Sequence, residues 1–291
     1  GGRCRPRFTF SEPMDRPSTQ AAYQSADLNA ASVTVEWNAA STVLTVRPSA
    51  PLALATGTDP ATPARRYAFK LTDTAHDLAG NPLAAFESSF TTLRDLTLAG
   101  ALQAAAGGYV RSDGLVEAPS DDFLAVGDDV ANVGYRSFLS FDLSALPDGA
   151  LPASVVAATL NLEHEDAVGS PFTALNDCTG ALCSPYTHVQ LDQVNYGAGV
   201  SNATYDTPVV QGLDVIDSFR NGPYTALAAS VTAAVQDVLA HRAERGGRVQ
   251  FRLSFPLATN NDSRSDYVFY RRGLNAGDPI APSLSVHLLI P

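Results

Sequence analysis

The chain has 291 residues, 45% of them hydrophobic, and a formal net charge of −11. This length suggests about two domains, and the composition is that of a folded protein and not of a disordered one. The negative charge argues against nucleic acid as a partner, because phosphate binding needs a basic surface. No run approaches the ~18 apolar residues of a membrane span, so membrane insertion is not expected.

The first part of the chain has the pattern of short β-strands. Alternating or β-branched runs are separated by clusters of Gly, Pro, Ser, Thr and Asp, which is typical of an all-β sandwich. The predicted strands are Ser32–Trp37, Thr42–Val46, Tyr67–Thr72 and Phe86–Thr92.

The sequence FSEPMD, Phe10–Asp15, follows a strand-like run near the start of the chain. Pro13 cannot donate a ladder hydrogen bond and therefore belongs at a strand end. Asp15 and Ser18 can form side-chain turns, and Met14 can fold back onto the core. The motif therefore predicts the end of a first strand and a change of chain direction.

Three later motifs complete a family pattern: LTVRPSAPLA at Leu44–Ala53, the turn DLAGNPL at Asp77–Leu83, and the closing FTT at Phe90–Thr92. In this order they resemble the bacterial Ig-like domain of the SbsA type. The resemblance covers about residues 5–94, and we assign residues 1–94 to this domain. It implies a spacer or stalk without catalysis, in a secreted or cell-surface bacterial protein.

The domain boundary is predicted at Leu93–Gly108, LRDLTLAGALQAAAGG, which is rich in small residues and ends in a glycine pair. The boundary lies within or just before this segment, and its Leu-Thr-Leu part could instead open the second domain, residues 95–291. Predicted strands follow at Phe138–Phe141, Ala157–Leu162, His188–Asp192, Arg248–Leu253, Tyr267–Tyr270 and Leu284–Leu288. Apolar residues at helical spacing predict one helix over Ser230–Arg245, stopped by two glycines.

The second part resembles the DNRLRE-type domain, a jelly-roll family grouped with carbohydrate-binding modules. The resemblance rests on ordered motifs that include GYVRS at Gly108–Ser112, FLAVG at Phe123–Gly127, RSFLSFDLS at Arg136–Ser144 and PSLSV at Pro282–Val286. The expected fold is therefore all-β: an Ig-like β-sandwich followed by a jelly-roll β-sandwich carrying one helix.

Cys178 and Cys183 lie in the short loop sequence DCTGALC. We predict a disulfide between them, which would indicate an oxidising compartment; the alternative is two free thiols in a loop. Cys4 is left without an assigned partner.

Clustered carboxylates predict a structural calcium site. Asp121, Asp122, Asp128 and Asp129 flank a predicted strand, and oxygen-rich loops suit calcium. The alternative is a set of solvated turn residues. A second acidic candidate is Asn260–Asp262 with Asp266.

Sugar binding needs aromatic faces, and the only Trp, Trp37, lies in the Ig-like part. The tyrosines predicted to contact a ligand are Tyr186, Tyr196 and Tyr205, in the long polar segment between Glu163 and Tyr224. Tyr109, Tyr135 and Tyr224 are also available. The alternative for each is a half-buried packing role.

The sequence gives little support for catalysis. The acid–base group His164–Asp166 reads as a solvated turn, and no G-x-S-x-G, H-E-x-x-H or phosphate-loop motif is present. We therefore predict a non-enzyme that adheres to, or binds, a glycan or cell-surface polymer. The alternative is a structural subunit of an extracellular fibre, sheath or surface layer, assembled with copies of itself through β-strand edges.

Overall fold

The computed structural model describes residues 5–117, 123–176, 188–218, 222–273 and 280–291. The chain divides into two compact units. The first comprises Gly1–Gly57, Ala61–Asp95 and Pro291, and the second comprises Thr58–Pro60 and Leu96–Ile290. Among the described residues, no helix has the length and apolar character needed to cross a membrane.

The first unit is built from short antiparallel strands. Its elements are β1 (Arg7–Thr9), α1 (Arg16–Ala21), β2 (Tyr23–Gln24), β3 (Val33–Trp37), β4 (Val43–Pro48), β5 (Ala55–Gly57), β6 (Arg66–Leu71) and β7 (Phe86–Thr91), with a 3-10 turn at Ala30–Ser32. One sheet has the order β1-β4-β3 and another the order β2-β6-β7. Their inward side chains form one core, which contains Phe8, Tyr23, Leu28, Val33, Leu44, Val46, Tyr67 and Leu71.

The FSEPMD segment ends the first strand and begins a helix. β1 ends at Thr9, and Asp15 is the N-cap of α1, where its Oδ2 accepts the Ser18 N–H at 2.9 Å. Met14 is 3% exposed and packs with Ala22 and Ala75. The predicted turn chemistry and the return of Met14 to the core are therefore confirmed, and a short helix that was not predicted follows them.

The DLAGNPL turn is held by the side chain of Asp77, which is 5% exposed. Its Oδ1 accepts the backbone N–H groups of Ala79 and Asn81, both at 2.8 Å, and its Oδ2 accepts the Asn81 side-chain amide at 2.6 Å. Hydrogen bonds from the side chain and the backbone of Asn81 hold the pKa of Asp77 below its usual value. One carboxylate therefore orders the whole turn.

Replacing Asp77 with asparagine is expected to destabilise the first unit near neutral pH and to have less effect in acid. Because the folded-state pKa is lowered, the carboxylate contributes stability above its unfolded-state pKa of about 3.9. This contribution is lost as the pH falls through the folded-state pKa. The check is urea unfolding followed by the fluorescence of Trp37, the only Trp, which lies in this unit. An equal loss of stability at about pH 7 and about pH 2.5 would contradict the expected coupling.

The second unit is a larger antiparallel β-structure. Its elements are β8 (Arg94–Leu102, whose first residues belong to the first unit), β9 (Gly108–Arg111), β10 (Val116–Glu117), β11 (Phe123–Asp128), β12 (Gly134–Asp142), β13 (Val155–Val168), α2 (Pro171–Ala174), β14 (His188–Val194), β15 (Val209–Ser218), β16 (Thr225–Ser230), α3 (Thr232–Ala240), α4 (Arg242–Arg245), β17 (Arg248–Ser254), β18 (Asp266–Arg271) and β19 (Ser283–Ile290). Short 3-10 turns lie at Ala104–Ala106, Pro152–Ser154 and Asn202–Asp206.

Most of these strands form one hydrogen-bonded series, in the order β15-β14-β17-β12-β11-β18-β13-β19-β8. β9 pairs with β12, β10 with β9, and β16 with β13. β12 also pairs with β8 at Phe141–Leu102, so the last strand in this order returns to the fourth, and the strands pack around the main core of the unit. The predicted all-β fold, an Ig-like domain followed by a second β-sandwich, is confirmed.

Side-chain alternation decides which residues enter the core of the second unit. In β18, Val268 and Tyr270 are 0% exposed, whereas Tyr267 and Phe269 are half-buried on the other side of the strand. The same period of two governs β11, where Leu124 faces the core. The residues on the other side of β11 and β18 therefore point away from the core and are available for other contacts.

The helical segment is divided in two. α3 begins at Thr232, α4 ends at Arg245, and the helical geometry is interrupted at His241, which has φ −125° and ψ 40°. Gly246 follows in the left-handed conformation at φ 59°, as the glycine stop signal predicts. Arg245, the last residue of α4, joins the two helices, since its Nε donates to Asp237 Oδ2 in α3 at 2.9 Å.

Candidate functional site

Five aromatic rings gather on the outer side of β9, β11, β12 and β18. They are Tyr109, Phe123, Tyr135, Tyr267 and Phe269, and we call this set the aromatic face. Each ring contacts two others, with centroid distances between 4.8 and 6.2 Å, so the five form a closed cluster. Four of the rings are half-buried and Tyr109 is 8% exposed.

The strand register explains why rings collect here. Tyr267 lies opposite Gly127, and Phe269 lies opposite Ala125, in the antiparallel pairing of β18 with β11. Small residues on β11 leave room for the large rings of β18 on the same face. Gly127 itself has φ +144°, and a Cβ atom there would collide with the backbone oxygen of Asp266.

Two guanidinium groups lie at the rim of the aromatic face. Arg111 stands 5.7 Å from the ring centroid of Tyr135 and pairs with Asp113, from Nη2 to Oδ2, at 2.7 Å. Arg271 lies opposite Phe123 in the pairing of β18 with β11, stands 3.6 Å from Glu163 Oε1, and lies 5.7 Å from the ring centroid of Tyr224, a ring that is 66% exposed. These planar cations can donate several hydrogen bonds in a fixed geometry beside the aromatic surface.

Asp129 orders one end of the aromatic face. Its Oδ2 accepts the Tyr135 hydroxyl at 2.8 Å, and its Oδ1 accepts the N–H groups of Ala131 at 2.8 Å and Val133 at 3.1 Å. Burial, followed by the hydrogen bond to Asp129, raises the pKa of Tyr135 to about 12. Burial opposes ionisation of Asp129, but the hydrogen bonds outweigh it and leave the pKa of this carboxyl lowered. Tyr135 therefore keeps its proton at neutral pH and remains a hydrogen-bond donor.

The two predicted ligand tyrosines within the described residues lie in a different place. Tyr205 is 7% exposed, with the Arg136 guanidinium 4.2 Å from its ring centroid. Tyr196 packs edge-on against Phe138 at 5.5 Å. Both belong to a small apolar cluster that also contains Val194, and burial raises the pKa of both hydroxyls. They offer little ring surface to a ligand, and their binding role stays a prediction.

Several predicted site residues fall outside the described residues: Tyr186, Asp121, Asp122, Cys178 and Cys183, and also Cys4. Of the predicted metal ligands, Asp128 is 0% exposed, and both oxygens of Asp129 already accept hydrogen bonds. In the described part of the chain, no group of three or more His, Cys, Asp and Glu side chains is arranged to hold a metal ion.

His164 does not lie in a solvated turn, so that prediction was wrong. It lies in β13, which continues to Val168, and it is 2% exposed. Its Nδ1 is 2.6 Å from Asp217 Oδ2, and the Tyr270 hydroxyl donates to the same oxygen at 3.0 Å. Burial and the neighbouring Asp217 raise the pKa of Tyr270 well above its usual value. The buried group of His164, Asp217 and Tyr270 therefore contributes to the fold and offers no surface to a substrate.

Sequence reasoning missed Tyr267, Phe269 and Phe123 as surface aromatics. The available signal was the alternation in Tyr267–Tyr270, which sends every second ring away from the core. Strand pairing determines which rings from other strands join them, and no local sequence pattern predicts that pairing.

Comparison with known proteins supports the first unit more strongly than the second. The family model described as a bacterial Ig-like domain matches residues 5–92, which confirms the predicted Ig-like domain. No curated protein matches the chain. The resemblance of the second unit to the DNRLRE-type domain stays a prediction.

Two solved structures show a weak likeness to the chain. One is SGBP-B from a complex xyloglucan utilization locus in Bacteroides uniformis, with 11% identity and a TM-score of 0.23, covering 92% of this chain and 67% of that one. The other contains domains CD, residues 230–489, of a second protein, with 11% identity and a TM-score of 0.24, covering 92% of both chains. At these scores neither supports an inference about this protein.

Proposed function

We propose that this protein is a non-catalytic, secreted or cell-surface bacterial protein. Its second unit binds a glycan through the aromatic face, and its Ig-like unit serves as a spacer. The observation that carries the proposal is the closed cluster of five rings with guanidinium groups at its rim.

The chemistry of the face suits a sugar. Aromatic rings pack against the apolar C–H surface of a sugar ring, and planar polar groups at the rim fix its orientation. Arg111 and Arg271 supply donors that can pair with hydroxyl or carboxylate groups. The protonated Tyr135 hydroxyl and the exposed Tyr224 add polar and aromatic contacts beside them.

The first unit supports the proposed secreted or cell-surface location and not the proposed glycan binding. A bacterial Ig-like domain at residues 5–92 fits a spacer in a secreted or surface protein. The Cys178–Cys183 disulfide, proposed from the sequence, would fit the same oxidising environment.

Replacing Tyr267 with alanine is expected to weaken glycan binding about tenfold, because a lost aromatic contact costs on the order of 1–2 kcal/mol. The measurement is affinity electrophoresis against a panel of soluble bacterial and plant polysaccharides, with calorimetry on those that bind. The matched control is Phe86→Ala, an aromatic side chain of the first unit that is 49% exposed. It should leave affinity unchanged. Thermal unfolding of each variant separates lost binding from lost folding.

Two other outcomes would move the proposed binding site or contradict glycan binding. Loss of binding in Tyr196→Ala or Tyr205→Ala, with Tyr267→Ala unaffected, would move the site to the tyrosines predicted from the sequence. No detectable binding to any polysaccharide in the panel would contradict glycan binding itself.

Assembly through strand edges is the alternative function. β15 is the edge strand at the start of the series and exposes Val209 and Val215, at 44% and 47%. However, its pairing with β14 contains three register shifts, and such bulges twist an edge away from a flat partner. Glycan binding is therefore preferred, and sedimentation of the concentrated protein as a monomer would support that choice.

A further inference from the structure

Two buried carboxylates face each other across neighbouring strands of the second unit. Asp128, at the end of β11, is paired with Asp266, at the start of β18. They are 0% and 4% exposed, and both lie on the core-facing side of their strands. Residues directly opposite in an antiparallel pair have Cβ atoms roughly 5 Å apart. Two charges of the same sign at this separation and depth need compensation.

Hydrogen bonds supply only part of that compensation. Asp266 Oδ1 accepts the Ser170 N–H at 2.5 Å, and Asp128 Oδ2 accepts the Asn260 N–H at a long 3.4 Å. Asp128 Oδ1 is buried and accepts no hydrogen bond. Within the described residues, no Arg, Lys or His forms an ion pair with either carboxylate.

The groups around the pair are oxygen-rich and negative. Burial raises the pKa of Asp128, and the charges of Asp266 and Asp262 add to this effect, although hydrogen bonds from the Thr259 side chain and the Asn260 backbone favour the charged form. Asp262 uses Oδ1 to accept the Arg264 N–H at 2.8 Å. The loop therefore brings the Thr259 hydroxyl and the Asp262 carboxylate near Asp128, whose Oδ1 has no hydrogen-bond partner.

We propose that Asp128 and Asp266 bind one hard divalent cation of the calcium class, completed by oxygens of the loop at residues 259–262. Calcium takes six to eight oxygen ligands, including carboxylates, hydroxyls and carbonyls. Two carboxylates suffice when neutral oxygens complete the set, which agrees with the lack of a three-acid cluster in the described part of the chain. The cation would join the ends of β11 and β18, the two strands that carry three rings of the aromatic face.

This site combines residues from the two acidic groups predicted from the sequence. The first prediction grouped Asp128 with its chain neighbours Asp121, Asp122 and Asp129, and the second grouped Asp266 with Asn260–Asp262. Strand pairing instead places Asp128 opposite Asp266, while Asp129 is committed to a turn and to Tyr135. The calcium shift is measured without any glycan present, so the cation proposal and the glycan proposal can each fail without the other.

The test is thermal unfolding of the EDTA-treated protein, with and without about 10 mM calcium chloride, at matched ionic strength. For a dissociation constant in the range of extracellular modules, about 0.1–1 mM, the melting temperature should rise by roughly 3–10 °C. Asp128→Asn and Asp266→Asn should each remove most of this shift. The matched control is Asp214→Asn, an exposed carboxylate on β15, which should keep it.

Terbium luminescence provides a second readout that does not depend on stability. Terbium is a calcium mimic that a nearby tyrosine can sensitise, and Tyr267 adjoins Asp266 in the chain. We expect a saturable signal that calcium displaces and that Asp128→Asn abolishes.

Two results would overturn the proposal. If calcium produces no shift in the melting temperature of the parent protein, the pair does not bind the cation. A rise in stability as the pH falls from 8 to 5 would then show that a proton on Asp128 compensates the pair. If calcium stabilises the parent protein and Asp128→Asn equally, the cation binds elsewhere, for example at Asp121 and Asp122.

Discussion

Replacing Asp217 with alanine is expected to lower the free energy of unfolding of the second unit by about 3–5 kcal/mol, since it breaks a buried charged network. The Asp217 carboxylate contacts His164 Nδ1 at 2.6 Å, the Tyr270 hydroxyl at 3.0 Å and the Ser218 N–H at 2.7 Å. Alanine would leave these three polar groups without this partner, and the His164 and Tyr270 side chains among them are buried. For a unit of this size, the melting temperature should fall by roughly 6–20 °C.

The measurement is urea unfolding followed by far-ultraviolet circular dichroism. Asp214→Ala, on the same strand but exposed, is the matched control and should change stability by less than about 0.5 kcal/mol. Asp217→Asn should fall between the two, because an amide keeps one acceptor oxygen. Trp37 fluorescence, which reports on the first unit, serves as an internal comparison. A cost below about 1 kcal/mol for Asp217→Ala would show that water replaces the carboxylate.

Gly127→Ala is expected to destabilise the second unit by about 2–5 kcal/mol, combining backbone strain with overpacking. Gly127 has φ +144°, a conformation that L-residues rarely adopt. An added Cβ would overlap the Asp266 carbonyl oxygen and lie 2.5 Å from Tyr267 Cα, and both of these atoms belong to the backbone of β18. Backbone cannot move aside as a flexible side chain can, so β11 and β18 would have to separate.

The control for this substitution is Gly149→Ala, where an added Cβ has no neighbour within 4 Å. It should change the unfolding midpoint little, within about 0.5 kcal/mol. Because Gly127 lies between the aromatic face and the carboxylate pair, Gly127→Ala should also weaken both glycan and calcium binding. Stability equal to that of the parent protein would mean that the two strands do not approach as closely as described.

The two sites proposed here share the same pair of strands. β11 and β18 carry Phe123, Tyr267 and Phe269 on the outer side, and Asp128 and Asp266 on the core side at one end. A cation that holds the strand ends together would keep the rings of the aromatic face in position. The proposals thus predict that removing calcium lowers glycan affinity without abolishing it.

The sequence by itself determined the class of fold and most strand positions. The runs Tyr67–Thr72, Arg248–Leu253 and Leu284–Leu288 were predicted as strands and occur as β6, β17 and β19 within one or two residues. This success has a local cause: a half-buried strand alternates apolar and polar residues with a period of two, and turn residues mark its ends. The Ig-like domain was likewise recognisable from short ordered motifs.

Strands without such alternation were missed. β15 (Val209–Ser218) is an edge strand interrupted by bulges and by Gly212, and β16 (Thr225–Ser230) is rich in alanine, so neither shows a clear period. His164 was assigned to a turn because its polar neighbours resemble a solvated loop. It is buried because β13 extends across the core to reach Asp217 and Tyr270.

Only the tertiary structure decided the candidate sites. The aromatic face combines rings from four strands, and the carboxylate pair joins Asp128 to Asp266 across an antiparallel register. Register depends on which strands pair and how the whole core packs, so residues far apart in the chain become neighbours without any local signal. Local alternation therefore determines which side of a strand a ring occupies, and strand pairing determines which rings and carboxylates meet.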